Sequence, residues 1–180
     1  LPIHPFLLGY ISGSGFLQFP KSGVELGNQM QVARKLIGVG YRVLKKYGKY
    51  VLKGLTDEQR TAISKARGKQ LAHIPKEYMT ASISARWEYL KGVFFQNGFS
   101  KRKHPHLELP NKKLIEDVAM LARSLGIWAK IYEVTENPER FGWWGIVFVC
   151  PNDKDIYYKM CYQARAHVNA DKPKNAHNEH

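Results

Sequence analysis

Leu7-Leu8-Gly9-Tyr10-Ile11-Ser12-Gly13-Ser14-Gly15 and Leu90-Lys91-Gly92-Val93-Phe94-Phe95-Gln96-Asn97-Gly98 are two versions of one pattern. Each sets apolar residues around a glycine, Gly9 or Gly92, and reaches another glycine six positions later; the copies lie 83 positions apart. A glycine inside a helix costs about 1 kcal/mol relative to alanine. Its use at the same place twice therefore needs a reason, and close approach of two helix backbones supplies one. Gly9, Gly13 and Gly92 are the expected contact residues of such a seam. Gly15 and Gly98 suit left-handed C-caps, which leaves Ser14 and Asn97 as the residues at the two helix ends.

Outward from these stretches, one order of elements repeats. After the Gly9 helix, strand-like pieces are expected near residues 16–19 and 24–27. A helix follows at 29–38, with Met30, Ala33, Leu36 and Ile37 on one face. Strands at 41–46 and 49–55 flank Tyr47-Gly48, a hairpin signal. Thr56-Asp57-Glu58-Gln59 opens another helix with a capping residue and early acids. In the second half, a helix from Ala85 runs into Gly98, followed by strands at 99–103 and 106–109. Asn111 caps a helix with Leu114, Ile115, Val118, Leu121 and Leu125 on its buried stripe. Strands at 127–134 and 142–150 and a helix at 153–168 complete the set. The order is αββαββα, twice. The expected organisation is a first half at 1–70, a link at 71–83, a second half at 84–168 and a disordered tail at 169–180.

The 180 residues are 44% hydrophobic and 24% charged, which suits a globular fold rather than a disordered chain. No apolar run is long enough to span a bilayer, and Leu1-Pro2-Ile3-His4-Pro5 lacks the features of a signal peptide. A start at Leu1 suggests a segment of something longer. Cys150 and Cys161 are too few for a disulfide framework or a zinc site. Free thiols in the cytoplasm or another reducing intracellular compartment are expected. The net charge of +13 points to nucleic acid ahead of a merely solvated basic surface.

The paired motifs and element order resemble the LAGLIDADG homing endonucleases in their single-chain, pseudo-symmetric form. Leu1-Pro2-Ile3-His4-Pro5-Phe6-Leu7-Leu8-Gly9, His73-Ile74-Pro75-Lys76-Glu77-Tyr78-Met79 and Arg86-Trp87-Glu88-Tyr89-Leu90-Lys91-Gly92 resemble segments of intein endonuclease domains. The resemblance implies an α+β fold of duplicated αββαββα halves with pseudo-two-fold symmetry. Its two antiparallel four-stranded sheets would form a DNA-binding saddle. It also implies double-stranded DNA as partner, a host protein carrying the domain as an insertion, and a monomer as sufficient.

In that family an acid at each motif end holds Mg²⁺ at a scissile phosphate. Here those positions are Ser14 and Asn97. A hydroxyl and a carboxamide lack the charge that holds a hard divalent cation and cannot serve as a carboxylate base. The expectation is therefore a degenerate domain with no metal cofactor, kept as a fold and retaining duplex binding. Two alternatives stay open: a domesticated scaffold acting as a nucleic-acid-binding regulator or protein-interaction module, and an active nuclease whose metal ligands come from Glu25, Asp57 or Glu108.

DNA contacts are expected from Arg42, Lys45, Lys46, Lys49 and Lys53 in the first-half hairpin, and from Lys101, Arg102 and Lys103 in the second. The alternative for these cations is the solvated face of a half-buried strand, where they discourage edge-to-edge pairing. His104-Pro105-His106 reads as a turn with surface histidines. Phe141, Trp143, Trp144 and Phe148 read as strand core, and Lys112-Lys113 at a helix start is a mild phosphate signal.

Overall fold

A computed structural model describes residues 1–13, 24–26, 29–67, 73–101, 104–135 and 138–149, with Arg67, Ser100 and Lys101 only through their backbones. The expected strand at 16–19, the helix at 153–168, both cysteines and the tail lie outside these residues. The chain divides into two compact units, Leu1–Val93 and Phe94–His180.

The first unit is built on α1 (Pro5–Gly13), a helix apolar on every side and buried throughout, as a core helix must be. Pro5 occupies its first position, where a missing N–H costs nothing. α1 packs against the first turns of α5 (Ile83–Asn97) with the backbones in direct contact. A Cβ at Gly9 would lie 2.1 Å from the Tyr89 carbonyl oxygen, and one at Gly92 would lie 2.1 Å from that of Phe6. Alanine at either position would force the helices apart. The Ser12 hydroxyl at this contact is satisfied: Ser12 Oγ donates to the Leu8 carbonyl at 2.8 Å and lies 2.8 Å from the Tyr89 hydroxyl.

Two segments distant in sequence clamp the start of α1. The Tyr78 hydroxyl, in the short helix α4 (Lys76–Met79), accepts from Ile3 N–H at 3.2 Å and donates to Ile3 C=O at 2.9 Å. Burial pushes this phenol up to about 12. His4 N–H donates to the Tyr41 hydroxyl at 2.9 Å. On α5, Glu88 accepts from Lys35 at 2.7 Å and Lys91 at 2.8 Å. Burial alone would raise the Glu88 pKa, but the two ammonium groups outweigh it and hold the carboxyl below its usual value.

The first sheet orders as β1-β3-β2, all antiparallel: β1 (Val24–Glu25), β2 (Arg42–Lys46) and β3 (Lys49–Lys53). It has three strands among the described residues rather than the expected four. α2 (Met30–Gly38) buries Val32, Ala33 and Leu36, so its inward face differs from the expected one; Met30 and Ile37 are exposed. α3 (Asp57–Arg67) opens with a reciprocal capping box. Gln59 N–H donates to Thr56 Oγ1 at 3.2 Å, and Thr56 N–H donates to Gln59 Oε1 at 3.1 Å.

Among its described residues, the second unit has a four-stranded antiparallel sheet in the order β4-β5-β7-β6 with a helix packed against it. The strands are β4 (Gly98–Lys101), β5 (His104–Leu109), β6 (Trp128–Glu133) and β7 (Trp144–Val149). α6 (Lys112–Arg123) starts at Asn111, whose Oδ1 accepts from Leu114 N–H at 3.0 Å. Its buried Leu114, Ile115, Val118 and Leu121 share the core with Leu107, Ile146 and Phe148.

Two expectations fail here for identifiable reasons. Gly98 is not a left-handed cap, since its φ is not positive and β4 follows the helix directly. It is glycine for steric reasons: a Cβ there would meet the Phe94 ring at 2.5 Å. His104-Pro105-His106 is strand, not turn. Pro105 pairs with Ser100 of β4 but precedes the stretch paired with β7, which begins at His106.

Candidate nucleic-acid interface

Register decides which cations of the first sheet share a face. In the β2–β3 ribbon the opposed pairs are Arg42/Lys53, Val43/Leu52, Leu44/Val51, Lys45/Tyr50 and Lys46/Lys49. Leu52 is fully buried, so Val43, Lys45, Tyr50 and Leu52 belong to the core side. Alternation along each strand then places Arg42, Lys46, Lys49 and Lys53 together on the solvent side, beside Leu44 and Val51. Glu25 of β1 joins this face opposite Val51 and pairs with Lys49 at 2.5 Å.

Among the described residues, four cations against one carboxylate leave this face at about +3. Two of its cross-strand pairs, Arg42/Lys53 and Lys46/Lys49, set like charges directly opposite each other, which destabilises a ribbon by roughly 0.2–1 kcal/mol per pair. A row of phosphates would relieve that cost. Lys45 is not among the four; its ammonium lies 5.9 Å from the Tyr50 ring centroid. At the hairpin tip, Tyr47 and Gly48 both have positive φ, 49° and 76°, as a two-residue type I′ turn requires.

The outer face of the second sheet is different in kind. It carries Phe99, His106, Glu108, Lys130 and Tyr132, which line a groove of about 1060 Å³ that also reaches Asn97. Tyr132 donates to Glu108 Oε1 at 3.0 Å and lies 3.1 Å from His106 Nδ1, while Arg140 donates to Glu108 Oε2 at 2.6 Å. His106 stacks on Phe99 at 5.4 Å. The Tyr132 ring lies over Gly145, where a Cβ would come within 2.2 Å of it. This surface has fixed donors, acceptors and ring faces and nearly balanced charge. Such groups suit base edges better than phosphates.

Sequence reasoning singled out neither Tyr132 nor Arg140, and it considered Glu108 only as a displaced metal ligand. The available signal was the alternation of His104, His106 and Glu108 with the buried Pro105, Leu107 and Leu109. Of the expected second-half cations, Lys101 ends the paired part of β4; Arg102 and Lys103 lie outside the described residues. The aromatic group splits. Phe148 is core, Phe141 is 84% exposed, Trp144 lies under the Lys112 ammonium at 4.1 Å, and Trp143 faces the Arg140 guanidinium at 5.2 Å. Lys113 is tied to Asp117 at 2.7 Å.

Asn97 is the last residue of α5 and is half-buried; Ser14 lies outside the described residues. A carboxamide at this helix end is a poor ligand for a hard divalent cation. The carboxylates considered as replacements are engaged elsewhere, Glu25 with Lys49 and Glu108 with Tyr132 and Arg140. Asp57 stands exposed in the first turn of α3. Asn97 itself supplies no carboxylate at this helix end. Among the described residues, no three His, Cys, Asp or Glu side chains group as metal ligands. None of the described helices is long and apolar enough to cross a membrane.

No protein-family model matches the sequence, and no curated protein matches it. Solved structures do share its architecture. A structure of mesophilic variants of the homing endonuclease I-DmoI aligns with a TM-score of 0.56 at 16% identity, covering 89% of this chain and 96% of that one. I-DmoI in complex with DNA and calcium gives 0.52 at 15% identity, covering 93% and 97%. Its complex with DNA and manganese gives 0.50 at 17% identity, covering 82% and 89%. The likeness at these identities is one of fold: this chain has the α+β fold of the LAGLIDADG homing endonucleases.

Proposed function

We propose that the chain is a degenerate LAGLIDADG homing endonuclease domain, intein-derived, that binds duplex DNA without cutting it. A single chain suffices, because both motifs are present in it, and its wider partner is the host protein into which such a domain inserts. The observation that carries DNA binding is the solvent face of the β2–β3 ribbon. Arg42, Lys46, Lys49 and Lys53 converge there as opposed like-charge pairs whose repulsion a polyanion would relieve. I-DmoI, whose fold the chain shares, has been solved in complexes with DNA. Loss of cleavage rests on Ser14 and Asn97, neutral residues at the two motif ends, and on the engagement of Glu108 and Glu25 in other contacts.

Two measurements test this reading. Titration with a labelled mixed-sequence duplex gives affinity that falls steeply with added salt; a salt-independent or absent affinity overturns DNA binding and favours a protein-interaction role. A randomised duplex pool with Mg²⁺ or Mn²⁺ stays uncut by the chain itself, and specific nicking would end the degenerate reading. The S14D/N97D double variant restores carboxylates at both motif ends. Nicking gained by it, and absent from the parent, is the positive outcome.

A further inference from the structure

Tyr47 breaks a local rule at the most exposed point of the basic ribbon. Its φ of 49° lies in the left-handed region, which a side chain with a Cβ enters only at a cost. The turn it occupies favours Asn or Asp before glycine, for the same reason. No burial compensates, since Tyr47 is 91% exposed. Among the described residues its ring meets the Lys46 ammonium, 5.3 Å from the ring centroid. Strain held without packing reward marks a residue kept for a contact outside the chain.

The surroundings say what that contact is. Lys46 and Lys49 oppose each other across the ribbon immediately below the tip, with Lys49 also paired to Glu25. The tip thus offers one bare aromatic face beside ammonium groups. That combination matches a nucleotide of a duplex, whose exposed sugar gives an apolar face next to a phosphate. We propose that Tyr47 is a nucleic-acid contact residue, its ring packing against the apolar face of a nucleotide of bound duplex DNA while Lys46 takes the neighbouring phosphate. The inference rests on the duplex-binding reading above.

The test compares Y47N and Y47F with the parent chain, by thermal unfolding and by titration with a fluorescein-labelled mixed-sequence duplex. Y47N relieves the backbone, so its Tm rises by about 2 °C, while duplex affinity drops about tenfold. The salt slope of binding stays at the parent value, because the ring displaces no counterion. Y47F keeps the parent affinity. A more stable Y47N that binds as tightly as the parent overturns the Tyr47 contact and leaves duplex binding standing, as does equal weakening of Y47F and Y47N. A changed salt slope in Y47N points to displaced lysines and also overturns it. A parent chain without salt-dependent duplex affinity removes the underlying reading itself.

Discussion

The exposed faces of the two sheets are built from similar backbones and serve different chemistry. On the first, Arg42, Lys46, Lys49 and Lys53 stand in opposed cationic pairs with one carboxylate, Glu25, among them. On the second, a network ties the central groups together: Glu108 holds Arg140 and Tyr132, and Tyr132 reaches His106. The described residues of the first face carry an excess of positive charge, which favours a polyanion. The Glu108 network on the second is internally satisfied, so those groups gain little from a bare phosphate row. Under the duplex-binding proposal the two faces would divide the work, affinity on the first and discrimination on the second.

The largest effect should come from the first face. The R42Q/K53Q variant removes one opposed cationic pair and is expected to lower duplex affinity about 10- to 100-fold at low salt. The log–log salt slope should shrink by roughly 1.8 if each cation meets a phosphate. The loss should be uniform across sequences, and stability should hold or rise because the like-charge repulsion is gone. A loss confined to a few sequences would reverse the roles assigned to the two faces.

A smaller effect, of another kind, is expected on the second face. E108Q leaves Arg140 without its counter-charge and weakens a hydrogen bond to a charged group, a loss of about 2 kcal/mol. Thermal unfolding should register it as a Tm lower by roughly 4–8 °C. Duplex affinity averaged over a randomised pool should change less than about threefold, with the salt slope intact. Selectivity between the best and average members of the pool should fall about fivefold, within the range of one lost base contact. Unchanged selectivity would remove base readout from this groove.

Much of this architecture was legible because it depends on short-range rules. Gly9 and Gly92 signalled backbone contact, Asn111 and Thr56 marked helix starts, and Tyr47-Gly48 marked a hairpin. Misreadings arose where local pattern allowed two outcomes. α2 has apolar residues on two overlapping stripes, and only tertiary packing selects Val32, Ala33 and Leu36 over Met30 and Ile37. Gly98 and Pro105 carry turn-like residue types, yet a Phe94 ring and a one-sided strand position explain them better. Within the candidate site, the cations were visible as composition, but their division between two faces needed the register. The Glu108 network joins residues 24 and 32 positions apart, and no local signal spans that distance.

Lys45 gives the sharpest test of the register argument, through the smallest expected effect. It lies between Leu44 and Lys46, so composition alone counts it with the other hairpin cations. Pairing opposite Tyr50 puts it on the core side of the ribbon, where its ammonium sits 5.9 Å from that ring. K45Q should lose only an exposed cation–π contact, about 0.5–1 kcal/mol of stability. Duplex affinity should stay within about twofold of the parent, with no change in salt slope, since no condensed counterion is exchanged at that position. If K45Q instead weakens binding as much as removal of Arg42, the ribbon meets DNA through an edge or its other side. The contrast between the two solvent faces would then no longer account for affinity.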